Sequence, residues 1–177
     1  MPFDLSIDVS GTGDIWFRTS FANIEMALKM RIFTLERMPT VNGTVSAVRG
    51  SITLLQRDFQ ITRGTVTIIQ GHPPTMQLNV EARTQVRSAV SHEEYEITVL
   101  ITGSAENPEI TLTGIGPAGQ IAQEDILTLL AAGLTYSEMQ QLNSSAIRSE
   151  VESVAQTMLG SLLARNIRHE IGLDTFE

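Results

Sequence analysis

The fold is decided by residues 41–86, VNGTVSAVRGSITLLQRDFQITRGTVTIIQGHPPTMQLNVEARTQV. Apolar residues fall at every second position in short runs, and glycine interrupts these runs at Arg49-Gly50 and Arg63-Gly64. Period-two alternation with glycine breaks predicts short antiparallel strands that have one apolar face. No other part of the sequence offers an obvious second sheet, so what covers this apolar face becomes the functional question.

Composition narrows the class of protein. The 177-residue chain carries 12 basic and 20 acidic residues, which gives a net charge of -8. Because the chain is acidic and has no basic stripe, we expect no nucleic acid partner. The length suits one domain, or one domain with an appendage.

Two kinds of feature are missing from the sequence. It contains no cysteine, which excludes disulfides and thiolate metal sites but fits both reducing and oxidising compartments. Its N-terminus lacks the basic and apolar regions of a signal peptide, and no run reaches about 18 apolar residues. We therefore expect no transmembrane segment in this chain.

The cleanest alternation lies at residues 24–32, where apolar and polar side chains exchange at every position. This pattern predicts a half-buried strand of about ten residues. Gly11-Thr12-Gly13 is a turn signal between two earlier strands, and the loop at 71–74 contains prolines that cannot donate to a sheet ladder. Strands are expected at residues 4–9, 14–19, 24–32, 44–48, 51–56, 59–62, 65–69, 76–83, 95–102 and 109–113.

The period changes to that of helices after the last predicted strand. Residues 123–132 are predicted to form a short helix with Ile126, Leu129 and Leu130 facing inward. Gly133 is its expected stop signal. The chain is thus expected to divide into a β-sheet region and a helical tail.

A longer helix is predicted at residues 144–166, with a wide apolar stripe. The division that follows is a sheet region at 1–114 and a helical tail at 115–177. The stripe either packs on the sheet as a plug or lid, or docks a partner or a lipid surface. Its residues are Ile147, Val151, Val154, Ala155, Met158, Leu159, Leu162 and Leu163.

One motif points to a different function. Gly114, Gly116 and Gly119 form G-x-G-x-x-G between a predicted strand and a predicted helix, the local context of a dinucleotide-binding turn. That fold needs its helix to return to a parallel strand, whereas the pattern that follows here is mainly helical. We therefore expect no nucleotide site.

Signals for catalysis are weak. His92 is followed by two glutamates but lacks the second histidine of a zinc-protease helix. His72 and His169 have no partner at metal-ligand spacing, and no serine lies in a nucleophile-elbow pattern. We expect no enzyme activity, no metal site and no cofactor.

The order of motifs resembles the C-terminal domain of the TamB family over residues 41–177. The Arg-Gly punctuation is followed by Thr102-Gly103, by Asn107-Pro108, and then by a strand and the helix sequence QEDILTLLAAG. Residues 172–177 are similar to the family's lead into its last strands. The resemblance implies that the chain is a fragment of a much longer protein.

The resemblance also implies a fold and a setting. The expected fold is mainly β with a helical C-terminal tail: a curved, U-shaped or rolled, antiparallel-rich sheet with a hydrophobic trough, and an amphipathic helix packed in or on it. Such proteins lie in the periplasm of diderm bacteria, anchored in the inner membrane, and their C-terminal end engages a TamA-like outer-membrane partner of the Omp85 class.

Two functions from different classes remain open. In the first, the trough carries phospholipid acyl chains between the inner and outer membranes. In the second, the chain is a scaffold or chaperone-like module that assists assembly and secretion of outer-membrane proteins such as autotransporters, by pairing strands at an open edge. Such an edge also permits self-association.

The residues expected to line the trough are apolar, alternate along the strands, and include adaptable methionines. The same pattern is typical of side chains that simply pack on one another or beneath the long helix, and the sequence leaves both interpretations open. The candidates are Ile24, Met26, Leu28, Met30, Ile32, Val45, Ile52, Leu54, Ile61, Val66, Ile68, Leu78, Val80, Ile97, Val99 and Ile101.

Overall fold

The computed structural model describes residues 6–35, 38–71 and 73–141. They form one eight-stranded sheet, in which the strand order follows the chain order, and two short helices after it. The predicted fold class, mainly antiparallel β with helices after the sheet, is confirmed. The strands are β1 (Ser6–Arg18), β2 (Ala22–Leu35), β3 (Met38–Leu54), β4 (Arg57–Ile69), β5 (Thr75–Arg87), β6 (Glu94–Ser104), β7 (Asn107–Gly116) and β8 (Gly119–Gln120), and the helices are α1 (Gln123–Ala132) and α2 (Tyr136–Gln141).

The turn predicted at Gly11-Thr12-Gly13 is wrong, because β1 runs through it as a single strand. Gly13 and Asp14 are inserted between Thr12 and Ile15, which pair with neighbouring residues of β2. Gly13 has φ of +88°, a conformation that glycine adopts without steric cost. The glycine therefore forms a bulge within the strand and not a reversal of the chain.

The breaks predicted at the two Arg-Gly pairs are also wrong. Arg49-Gly50 lies inside β3, where Val48 is the extra residue of a bulge. Arg63-Gly64 lies inside β4, where Thr62 and Arg63 are both exposed, so the alternation shifts by one residue there. Each pair accompanies a shift in the alternation within a long strand, which produces the same local sequence signal as a strand end.

The turn between β3 and β4 lies at Leu55 and Gln56, although the sequence predicted a strand through residue 56. Both residues have positive φ, of 53° and 61°, which is the backbone of a two-residue hairpin turn. Asn-Gly is the usual sequence signal for that turn, and it is absent here. Strand β4 ends at Ile69 and β5 begins at Thr75, so the predicted break between these two strands is confirmed.

Helix α1 forms where it was predicted. Ile126, Leu129 and Leu130 are buried, and Gly133 ends the helix in the left-handed conformation with φ of +72°. The Gly133 amide donates to the Leu129 carbonyl at 3.0 Å, which satisfies one of the last carbonyls of the helix. The predicted helix at 144–166, with the eight residues of its apolar stripe, lies outside the described residues.

Helix α2 was missed. Thr135 and Glu138 form a capping box at its start: the Glu138 carboxylate accepts from the Thr135 amide at 2.7 Å, and Thr135 Oγ1 accepts from the Glu138 amide at 3.2 Å. Ser88 Oγ donates to the same carboxylate at 2.8 Å. Burial raises the pKa of Glu138, but the hydrogen bonds from Ser91, Thr135 and Ser88 outweigh it and lower the pKa to about 2. The carboxylate is therefore ionised at neutral pH, and it ties α2 to the loop after β5.

Contacts divide the chain into two compact units. Unit 1 comprises Met1–Ile52, Gln60–Ala82 and Leu100–Glu109, and unit 2 comprises Thr53–Phe59, Arg83–Val99 and Ile110–Glu177. The hydrophobic core belongs to unit 2, where β-strand residues pack with α1 and α2. Its buried apolar residues are Phe59, Val86, Tyr95, Ile97, Val99, Ile126, Leu127, Leu129, Leu130, Leu134 and Met139.

Unit 1 buries much less apolar surface. Among its described residues, only Ala22, Ile52, Ala82 and Ala105 are buried hydrophobics. Three of these four are alanines, so nearly all of the large apolar side chains described in unit 1 are at least partly exposed to solvent. In the described part of the chain, no helix has both the length and the apolar character needed to cross a bilayer.

Candidate functional site

The first three strands bring their apolar residues together on one face of unit 1. Residues directly opposite each other in antiparallel strands point to the same face. Met30 of β2 lies opposite Val9 of β1 on one side and Gly43 of β3 on the other. We call the resulting surface the apolar face: Ile7, Val9, Gly11, Ile15 and Phe17 of β1; Ala22, Ile24, Met26, Leu28, Met30 and Ile32 of β2; Val41, Gly43, Val45, Ala47, Gly50 and Ile52 of β3.

The bulge in β3 keeps this face apolar. Val45 and Ile52 are an odd number of residues apart, so a regular strand would place them on opposite faces. The extra residue Val48 shifts the alternation by one, and Val45 then lies opposite Leu28 while Ile52 lies opposite Ala22. The bulge in β1 inserts two residues, so it leaves the alternation of that strand unchanged.

The apolar face remains open in the described structure. Ile7, Val9 and Ile32 are 45%, 36% and 36% exposed, and Leu28 and Met30 are only half-buried. A depression of about 430 Å³ is lined by residues of β1, β2 and β3, and three of these, Val9, Met30 and Gly43, belong to the apolar face. Its lining residues are Asp8, Val9, Ser10, Lys29, Met30, Arg31, Asn42 and Gly43.

The opposite face of the same strands is polar. The Arg31 Nε donates to Asp8 Oδ1 at 2.7 Å across β1 and β2, and its hydrogen bond lowers the pKa of Asp8 and raises that of Arg31. The Arg49 Nε donates to the Glu25 carboxylate across β2 and β3. We call this surface the polar face; its charges do not enter the row of apolar side chains on the other side of the sheet.

The structure divides the predicted trough residues between the two units. Those of β2 and β3 as far as Ile52 lie on the apolar face. In unit 1, half-buried positions on β4, β5 and β6 hold Ile61, Val66, Ile68, Leu78, Val80 and Ile101. In unit 2, Leu54 is half-buried, whereas Ile97 and Val99 are 0% exposed and form part of the closed core.

Sequence reasoning missed the contribution of β1 to this face. Ile7 and Val9 alternate with polar residues, and Ile15 and Phe17 do so again after the bulge. The alternation was visible in the sequence, but the glycines between the two halves suggested separate strands. The register of β1 with β2 is what joins the four residues to the face.

The G-x-G-x-x-G motif has a packing role in the structure. Gly114 and Gly116 lie in β7, and Gly119 is the first residue of β8. A Cβ atom on Gly114 would come within 2.7 Å of the Ile121 side chain, and one on Gly116 within 2.6 Å of the Tyr95 ring. These glycines thus make room for neighbouring side chains of the protein itself. Within residues 6–35, 38–71 and 73–141, no three His, Asp or Glu side chains come together as a metal site would require.

Comparison with known proteins gives one result. No curated protein matches the chain. The model of the TamB C-terminal domain family matches residues 1–177, the full length of the sequence, as the order of its strand, glycine and helix motifs predicts. The chain therefore belongs to the TamB C-terminal domain family.

Proposed function

We propose that the apolar face of β1–β3 binds phospholipid acyl chains, as part of a TamB-like protein that carries phospholipid between the inner and outer membranes. The single observation that supports this proposal is the apolar face itself, which continues across three strands without a charged side chain and is left open by the described residues. The family points to a bacterial envelope protein. In this proposal the chain works in the periplasm, beside a TamA-like partner of the Omp85 class, and without enzymatic chemistry.

The chemistry of the face suits an acyl chain. Each buried methylene contributes about 0.8 kcal/mol without any directional requirement, so a row of apolar side chains can hold chains of different length. Met26 and Met30 add flexible side chains that adapt to irregular shapes. Removing a charged lipid head group from water costs far more free energy than these apolar contacts supply. We therefore expect the head groups to stay outside the apolar face.

A charge placed on the apolar face should expel lipid. Leu28→Arg in the full-length protein should lower the amount of co-purified phospholipid per protein about tenfold, since a buried cation costs more than the roughly 1.4 kcal/mol that a tenfold change represents. The measurement is phospholipid per mole of protein by mass spectrometry after gentle extraction from the envelope.

Ala27→Arg is the matched control. It introduces the same side chain one residue away, on the polar face, opposite Thr12 and Ser46. We expect it to keep the wild-type lipid content. Equal lipid content in both variants, or equal loss in both with circular dichroism unchanged, would contradict acyl-chain binding at this face.

A second function would use an edge of the sheet. Among the described residues, β1 lies at one end of the strand order and has 13 residues, whereas β8 at the other end has two. A long edge strand can accept a further strand through its backbone groups. In this alternative the chain assists outer-membrane protein assembly, and Leu28→Arg would leave protein partners bound because strand pairing uses the backbone.

A further inference from the structure

The polar face carries a cluster that the proposed function does not use. Trp16, Glu25 and Arg49 lie in one row, directly opposite one another on β1, β2 and β3. Arg18 follows Trp16 by two residues in the same strand, so it points to the same face. All four residues belong to unit 1.

The two arginines converge on the indole ring. The Arg18 Cζ lies 4.8 Å from the ring centroid of Trp16, and the Arg49 Cζ lies 5.7 Å from it. Both distances fall within the range of cation–π contacts. Arg49 is further fixed because its Nε donates to Glu25, which is itself 7% exposed. The nearly buried Glu25 carboxylate thus holds Arg49 in place beside Trp16.

Trp16 and Arg49 are both exposed to solvent, so a ligand can reach them. Trp16 is 38% exposed, and the side chain of Arg49 is 72% exposed. Arginine has five N–H donors, and the exposed side chain of Arg49 leaves donors within reach of a ligand while its Nε–H is bonded to Glu25. The Arg18 guanidinium contacts the same ring from its own position on β1.

The charge of this surface contrasts with that of the chain. The cluster combines two guanidinium groups with one carboxylate, in a protein whose net charge is -8. The charged residues of β1–β3 are four cations, Arg18, Lys29, Arg31 and Arg49, and three carboxylates, Asp8, Asp14 and Glu25. A local cationic excess of this kind favours an anion.

We propose that Trp16, Arg18 and Arg49 form a binding site for the phosphate group of an anionic phospholipid. Two guanidinium groups can donate to phosphate oxygens in the fork geometry that arginine provides. A half-exposed indole beside them is the side chain that lies most readily at the boundary between lipid and water. The site would place the polar face of β1–β3 against a membrane surface while the apolar face points the other way.

The test is vesicle binding by the full 177-residue chain, followed through the fluorescence of Trp16, which is the single tryptophan of the sequence. One set of vesicles contains phosphatidylcholine alone, and the other adds about one-third phosphatidylglycerol. We expect stronger binding and a blue-shifted emission with the anionic vesicles. Arg18→Gln and Arg49→Gln should each weaken this binding about fivefold.

Lys29→Gln is the control for diffuse electrostatic attraction. Lys29 lies on the same face, opposite Ser10 and Thr44, away from Trp16. It removes the same charge, and we expect it to change binding less than twofold, or about 0.4 kcal/mol. Sedimentation of the vesicles with Trp16→Leu gives a readout that does not depend on fluorescence, and this variant should also bind weakly.

The outcomes separate the two sources of phosphate. Binding to anionic vesicles that both arginine variants lose supports the lipid head group. If inorganic phosphate alone quenches or shifts Trp16 fluorescence, and the same variants lose this response while vesicles do not bind, the site takes soluble phosphate. Equal losses for Lys29→Gln and the arginine variants, or no binding of either ligand, would overturn the site. Since Leu28→Arg changes only the apolar face, it should leave this binding intact even where acyl-chain binding fails.

Discussion

Ile97→Ala should lower the free energy of unfolding by about 2–5 kcal/mol, whereas Ile32→Ala should lower it by less than about 1 kcal/mol. The two substitutions remove the same atoms from the same residue type in a β-strand. Ile97 is 0% exposed in the core of unit 2, so its truncation leaves a cavity, whereas Ile32 is 36% exposed on the apolar face and much of its surface already meets solvent. Urea unfolding of each variant, followed by circular dichroism, measures the difference.

These two variants test whether Ile97 is packed in a closed core while Ile32 remains exposed to solvent. Similar losses of 2 kcal/mol or more for both variants would mean that something covers Ile32 in solution as completely as the core covers Ile97. In that case the apolar face would be a second core, and acyl-chain binding would lose its main support.

Gly50→Ala should be similarly severe, with a loss of about 3 kcal/mol or more in the free energy of unfolding. A Cβ atom there would lie 2.3 Å from the Asn23 carbonyl oxygen and 2.7 Å from the Ile24 Cα, both of which are backbone atoms that cannot move aside. Its φ of +144° adds conformational strain for any residue with a side chain. Thermal and urea unfolding should both shift.

Gly119→Ala separates the steric overlap with backbone atoms from the conformational strain of a positive φ. Gly119 also has a positive φ, of +111°, but a Cβ atom there would meet nothing within 4 Å. It should therefore cost only the conformational part, about 1–2 kcal/mol. Equal effects at Gly50 and Gly119 would show that the close approach of β2 to the β3 bulge does not exist in solution.

Local sequence signals were sufficient for some elements. Helix α1 was predicted with its ends and its buried residues because helical spacing and a following glycine are properties of a short segment. The alternation at residues 24–32 likewise predicted β2, and the structure extends it to Ala22–Leu35. Period-two alternation alone was enough to predict which side chains of β2 share its apolar side.

Bulges and turns required more than local signals. An Arg-Gly pair inside a strand and one at a strand end look alike in sequence, and the pairing of Ala47 with Met26 and of Arg49 with Glu25 is what distinguishes them. Leu55 and Gln56 adopt turn conformations that neither residue type favours, so the partner strands determine that turn. The Thr135-x-x-Glu138 capping box was present in the sequence and could have predicted α2.

The difference between a closed and an open apolar face could not be predicted from alternation. Ile24 and Ile97 both lie in strands with period-two alternation, yet Ile97 is fully buried in unit 2 and Ile24 is only half-buried. Period-two alternation identifies which side chains share a face. What covers that face depends on elements distant in sequence.

The most direct measurement is photo-crosslinking in the native envelope, with a photoreactive residue at position 28 in the full-length protein and a control at position 29. Leu28 lies on the apolar face, and Lys29 lies on the polar face one residue away. If the apolar face carries acyl chains, position 28 should give phospholipid adducts by mass spectrometry that position 29 gives far less often. Adducts only to proteins at position 28, or no lipid adducts there at all, would contradict lipid transport along this face.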